Sequence, residues 1–361
     1  MPETSPAVRR DRLRSLLTES QAEAALVTRM VNVRYLTGFT GSNAALLLTL
    51  EATVLATDGR YETQAAAQAP DTERVIRRDC AAALVERAAA QHVEHLAFEA
   101  HDVTVALHRS LTDTAGTMAM VDLGRAVEGL REVKDDAELA LLTEACAISD
   151  RALADVMLQV RPGRTERDVA IELEAAMRAH GADGPAFETI VASGPNSAVP
   201  HHRPTDREIE QGDLLKIDFG ACRGGYHADE TRTFVVGAPP ADWQREVYDL
   251  VARAQQAGRA ALGPGVDVRD VDQAARAVIE DAGHAEHFPH GLGHGVGLEI
   301  HESPMIGHTA TGRLAAGTPV TIEPGVYLPG RGGVRIEDTL VVRDGEPGLL
   351  TTTARELLVL G

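Results

Sequence analysis

The apolar positions of the first 125 residues alternate between two periods. Val8, Leu13, Leu16 and Leu17 form a stripe at helical spacing, whereas AALVT (Ala24–Thr28), AALLLTL (Ala44–Leu50), TVLAT (Thr53–Thr57) and HLAFE (His95–Glu99) are short, apolar and β-prone. Between them Tyr61–Ala69 and Cys80–Gln91 read as helices. Such alternation predicts a small three-layer α/β domain with an open sheet. The chain then turns charged over VEGLREVKDD (Val127–Asp136) and enters a helical stretch from Ala137 to Val160. We place the domain boundary there, giving domains over 1–125 and 126–361.

The second domain contains an internal repeat. RPGRTERDVAIELEAAMRAHG (Arg161–Gly181) aligns without gaps onto GPGVDVRDVDQAARAVIEDAG (Gly263–Gly283), at an offset of 102. Each copy reads as a Pro-Gly turn, a Thr or Asp cap, and an amphipathic helix closed by glycine. Further along, Ile217-Asp218-Phe219-Gly220 matches Ile322-Glu323-Pro324-Gly325, and Asp229-Glu230-Thr231 matches Glu337-Asp338-Thr339, with offsets growing to 105 and 108. One duplication followed by small insertions leaves this record. The expected architecture is two related α+β halves about a pseudo-two-fold axis, each contributing two acidic residues at corresponding strand positions.

An Asp at a strand end is ordinarily structural, but four carboxylates converging on an axis repel unless a cation sits among them. Asp218, Asp229, Glu323 and Glu337, joined by His294, are therefore candidate ligands of a dinuclear metal site. Carboxylate oxygens suit hard divalent ions, and one imidazole shifts the preference toward Mn, Co, Fe or Zn over Ca. His294 lies in HGLGHGVGLEIHE (His290–Glu302), where four alternate glycines make a helix implausible. As a strand, this segment puts His290, Leu292, His294 and Val296 on one face, with a glycine face open to close backbone approach. Strict alternation would place His301 on the opposite face, so the strand must bend or end for both histidines to serve one site. His201 or His202, in SAVPHHRP, is the rough counterpart of His301 in the other half; we take His201.

Composition narrows the function. With 361 residues, 44 % hydrophobic and 25 % charged, the chain can bury two sizeable cores. Its formal net charge of -19, from 54 acidic against 35 basic residues, repels phosphate backbones and argues against nucleic-acid binding. Three scattered cysteines, Cys80, Cys146 and Cys222, suit a reducing compartment, and Cys222 reads as a strand residue. The N-terminal stretch lacks the apolar core of a secretory leader, and no apolar run approaches a membrane span. A cytoplasmic protein with no membrane contact is expected.

The motifs SAVPHH, KIDFG, HADETRTF, HGLGHGVGLEIHE, TIEPGVY and GVRIED together resemble the pita-bread-fold metallopeptidases, in their proline-specific branch of prolidase and aminopeptidase P. VRYLTGFTGSNAALLL and TDGRY more weakly resemble the creatinase-type N-terminal domain of that branch. The resemblance implies a pita-bread (creatinase/aminopeptidase) C-terminal domain and two divalent ions, Mn or Co before Zn or Fe. It implies that Asp218 chelates one metal, that Asp229 and Glu337 bridge, and that His294 and Glu323 complete the second. His201 and His301 would bind the scissile amide and stabilise the tetrahedral intermediate, Glu323 would shuttle a proton, His290 would line a proline pocket, and Tyr327 and Arg335 would support the site. The implied activity is metal-dependent hydrolysis of Xaa-Pro dipeptides by a homodimer acting on small peptides with proline second. Aminopeptidase P, which takes longer peptides, is the near alternative. A methionine aminopeptidase is disfavoured by the first domain. Creatinase, and a non-enzymatic peptide-binding module, are disfavoured by the complete ligand set.

Overall fold

The computed structural model describes residues 5–19 and 22–361. The N-terminal stretch weighed above as a leader includes Met1–Thr4 and Ser20, which lie outside them. The chain divides into two compact units, one ending at Arg131 and the other beginning at Glu132.

The first unit is built on a six-stranded mixed sheet, in the spatial order 73–76, 53–57, 44–49, 24–27, 95–98, 119–122. The central strands are apolar at consecutive positions because both faces are covered. Ala24, Leu26, Ala45 and Leu47 pack with Leu84, Val85 and Ala88 of the helix Cys80–Ala90. Ala25, Leu46 and Leu48, of opposite parity, are fully or almost fully buried too, and the helices Pro6–Glu19 and Met30–Thr37 pack against the strand 44–49. Two strands escaped the sequence reading, Glu73–Ile76 and Ala119–Asp122. Both are sheet edges and largely solvent-facing, so neither carries an apolar pattern.

In the second unit the duplication is visible as structure. One half packs the helices Asp136–Met157 and Glu166–Ala179 on a sheet ordered 359–360, 230–236, 214–219, 190–193, around Leu153, Leu173, Ile217, Phe219 and Phe234. The other packs Asp242–Ala260 and Val268–Asp281 on a sheet ordered 302–306, 293–295, 319–322, 338–341, 348–349, around Val251, Val271, Ile279, Leu292 and Val320. Burying each such side chain contributes about 1.5–3 kcal/mol before entropy. The repeated helices match in detail. Gly163 and Gly265 turn at φ +88 and +81, Thr165 and Asp267 cap, and Gly181 and Gly283 close at φ +101 and +81. Only glycine tolerates such angles cheaply, which is why these positions coincide in both copies.

Candidate active site

Two antiparallel pairs carry the acidic residues. In one, Asp218 lies opposite Thr231, and Asp229 immediately precedes the strand Glu230–Val236. In the other, Ile322 lies opposite Asp338, so Glu323 and Glu337 are the next residues outward. A bridge between Thr231 and Glu337 joins the two sheets at this point, and it brings the carboxylates of both halves together.

The donor atoms of Asp229, His294 and Glu337 lie within 4.8 Å of one another, all three residues buried. His294 Nε2 is 3.5 Å from Asp229 Oδ2 and 3.5 Å from Glu323 Oε1. Asp218 accepts from Arg335 through Oδ2, while its Oδ1 is buried with no hydrogen-bond partner. Glu337 Oε2 accepts from the Thr231 hydroxyl at 2.6 Å.

His294 is held as a neutral base. Its Nδ1 is 3.0 Å from the Gly295 carbonyl, a contact that requires the proton there and leaves the Nε2 lone pair facing the carboxylates. Burial first, opposed by that hydrogen bond and reinforced by His301, lowers its pKa to about 4. The glycines around it allow close strand contact. A Cβ on Gly293 would lie 2.0 Å from the Thr321 carbonyl oxygen, and one on Gly295 2.3 Å from that of Ser303. The single strand expected from His290 to Val296 is not formed. The strand covers only Gly293–Gly295, and its pairing with Glu302–Ile306 shifts register between His294 and Gly295. That bulge, with the turn that follows it, cancels the alternation. The His294 and His301 rings meet edge to face, centroids 4.4 Å apart.

Without a cation these carboxylates resist ionisation. Burial and then the charge of Asp218 and Glu323 raise Asp229 well above the usual range. Burial and then Asp229 and Glu323 do the same to Glu337. Burial pushes Glu323 up to about 8 against the pull of Arg335. An orphaned buried oxygen, a neutral imidazole and mutually repelling carboxylates form a donor set that fits divalent metal. In the first unit Glu99, His101 and Glu128 also converge, but Arg29, Asn32 and His101 already donate to Glu128 at 2.9–3.0 Å.

A cavity of about 320 Å³ opens on the cluster, lined by Asp218, Asp229, His294, Glu323 and Glu337, by His201, His202 and His301, and on its apolar side by Phe187, Ile190 and Ile300. His201 and His301 are exposed to it. His202 is engaged elsewhere, with Nε2 2.8 Å from a carboxylate oxygen of the fully buried Glu166.

His290, Tyr327 and Arg335 are not among the side chains lining this cavity. They form a chain behind it. Arg335 donates to the Tyr327 hydroxyl at 2.8 Å, and that hydroxyl lies 2.9 Å from His290 Nε2, whose Nδ1 is 2.8 Å from the Gly291 carbonyl. Burial, with Arg335 next, lowers His290 to about 3, so the ring is neutral and accepts from the tyrosine. Arg335 also donates from Nε to Thr231 at 3.0 Å and thus supports both Asp218 and, through Thr231, Glu337.

Three contributors went unnoticed in the sequence: Glu166, Lys216 and Thr231. The signal for Lys216 was present, since a lysine two residues before Asp218 in the apolar run LLKIDF must face the same side. Glu166 reads as an ordinary acidic residue in the first turn of a helix.

Comparison with known proteins identifies relatives of both units. Residues 140–344 match the metallopeptidase family M24, and residues 9–133 match the creatinase/prolidase N-terminal domain. An Xaa-Pro dipeptidase of Pyrococcus furiosus is 44 % identical over 64 % of this chain and 66 % of its own length. Among solved structures, an Xaa-Pro dipeptidase from Bacillus anthracis superposes with a TM-score of 0.95 at 36 % identity, covering 99 % of this chain and 100 % of that one. An X-Pro aminopeptidase from Thermotoga maritima superposes at 0.90 with 35 % identity, over 97 % and 99 %. No helix among the described residues is long and apolar enough to cross a membrane. With its repeated halves, its converging carboxylates and matches over both units, the chain belongs to metallopeptidase family M24 and carries a creatinase/prolidase N-terminal domain.

Proposed function

We propose that this protein is an Xaa-Pro dipeptidase in which Asp218, Asp229, His294, Glu323 and Glu337 would hold two divalent ions, Mn or Co. The observation that carries it is the buried convergence of Asp229, His294 and Glu337 within 4.8 Å, beside the unpartnered Asp218 Oδ1. Divalent cations in such a site supply Lewis acidity toward the scissile carbonyl and toward water.

The chain's own residues supply the rest. The exposed rings of His201 and His301, facing the same cavity, donate to the oxygen of the scissile carbonyl as it gains charge. Glu323, which lines the same cavity, would take the proton released by the attacking water and pass it to the imino nitrogen of the departing proline. An Xaa-Pro amide has no N–H to offer, so recognition falls to shape. Phe187, Ile190 and Ile300 give the ring an apolar wall. His290 acts from behind, holding Tyr327 and through it Arg335 against Asp218. A cavity of about 320 Å³ lies at the small end of ligand sites, which suits a dipeptide. The same reading takes the protein as a homodimer, and its three scattered cysteines suit the cytoplasm.

The likeness to an X-Pro aminopeptidase keeps longer peptides as the second reading. The deciding experiment compares kcat/KM of the Mn- or Co-loaded protein on an Xaa-Pro dipeptide and on the same sequence extended by one residue. We expect the dipeptide to be preferred. A tenfold preference for the tripeptide would establish the aminopeptidase instead, and efficient cleavage of Met-Ala peptides would remove proline specificity.

A further inference from the structure

His201 is carried by an irregular stretch, Val199 to Thr205, with no strand or helix of its own. Exposed connections of this kind are usually the mobile part of a fold. This one is tied on both sides of His201 by buried charges. Upstream, Lys216 Nζ donates to the carbonyls of Val199 and Pro200 at 2.6 and 3.1 Å, and Arg335 adds a bond to Pro200 at 3.2 Å. Downstream the anchor is Glu166.

The Glu166 carboxylate has no exposed surface and is surrounded by donors. Oε1 accepts from the Ser193 amide at 2.7 Å, the Ser193 hydroxyl at 2.9 Å and the Asn196 amide at 2.9 Å. Oε2 accepts from His202 at 2.8 Å and from the Thr205 amide and hydroxyl at 3.0 and 2.7 Å. One oxygen therefore grips the end of the strand Ile190–Ser193 and the turn after it, and the other grips the stretch that bears His201. Its place as the first residue of the helix Glu166–Ala179 adds the favourable end of the helix dipole. Six donors offset the cost of burying this carboxylate, and an apolar residue in its place would leave them all unpaired. What the carboxylate adds is a fixed distance between two backbone segments.

We infer that Glu166 is a positioning residue for catalysis, holding His201 at the scissile amide by clamping His202 and Thr205 to the rigid sheet. This rests on the proposed role of His201. Loss of the clamp shifts His201 without touching the metal ligands. Because a displacement of about 1 Å can cost 10²-fold in rate, cutting half the clamp should cost roughly 10- to 100-fold in kcat, with KM changed little.

The test is a double-mutant cycle on the metal-loaded enzyme with an Xaa-Pro dipeptide, using wild type, E166Q, H201A and E166Q/H201A. A glutamine keeps one accepting oxygen and loses the other. The expected result is a fall in kcat for E166Q in the wild-type background, almost none in the H201A background, and unchanged metal content throughout. Losses that multiply, a wild-type kcat for E166Q, or a loss explained by missing metal would overturn the positioning role. Should E166Q not fold, H202A takes its place in the cycle, and H202Q, which can still donate to Glu166, should restore kcat. A wild type inactive on Xaa-Pro dipeptides, or H201A at full activity, would instead overturn the functional reading beneath this inference.

Discussion

Replacing Gly293 by alanine tests the link between strand packing and the metal centre. The added Cβ would lie 2.0 Å from the Thr321 carbonyl oxygen, 2.7 Å from its carbon and 2.9 Å from its hydroxyl. A relaxed carbon–oxygen contact is about 3.3–3.6 Å, so the strands must separate by roughly 1.5 Å. Neither can yield easily, since Gly293 and Thr321 are buried in the five-stranded sheet. Overpacking alone costs about 1–3 kcal/mol, and the hydrogen bond from the His294 amide to Thr321 Oγ1 at 3.1 Å would be strained as well. We expect G293A to lose about 3 kcal/mol in urea unfolding at unchanged m, and to bind metal more weakly because His294 is the next residue. Gly129, inside the helix Ala126–Glu132 with nothing within 4 Å of its virtual Cβ, is the control. There alanine should stabilise by about 0.5–1 kcal/mol. A G293A protein within about 0.5 kcal/mol of wild type and with full metal content would refute the reasoning.

Three further outcomes follow from the site and a fourth from a buried ion pair outside it. In metal-free protein Glu323 keeps its proton up to about 8, against an ordinary 4.5, and Asp229 and Glu337 are raised too. The folded state then holds protons that the unfolded chain has released, so stability falls as pH rises. Chelator-treated protein should lose stability from pH 6 to 7.5 in thermal unfolding, by about 2 kcal/mol for the Glu323 proton, and metal-loaded protein should not. Asp229→Asn should lose bound metal together with activity, measured by elemental analysis and turnover. His301→Ala should keep its metal and lose roughly 10²–10³-fold in kcat, as for one missing oxyanion donor; metal loss in His301→Ala would exchange the roles of His301 and His294. Lys134→Met breaks a pair with Glu302 that is 2.9 Å long and almost fully buried. It should cost about 3–5 kcal/mol in denaturant unfolding, and a neutral result would show that solvent reaches the pair.

Much of this protein was written locally. The helices Asp136–Met157 and Val268–Asp281 carry their own caps and apolar faces, and the duplication left the same turn glycines and the same acidic strand ends in both copies. Side-chain period reports which face a residue takes along one segment, and for these elements one segment suffices. It fails where the partner is remote. Glu73–Ile76 and Ala119–Asp122 are strands because neighbouring backbone pairs with them, not because of their side chains. Between His290 and His301, alternation along one strand placed the two site histidines on opposite faces. The tertiary structure reverses this, because the pairing with Glu302–Ile306 shifts register between His294 and Gly295 and the strand stops after three residues. Nor does anything in SAVPHHRP distinguish its two histidines. A carboxylate 36 residues away binds the ring of His202 and leaves that of His201 facing the cavity. Pairing and clamping of this kind are contacts between distant segments, and only the folded chain brings their donors and acceptors within reach.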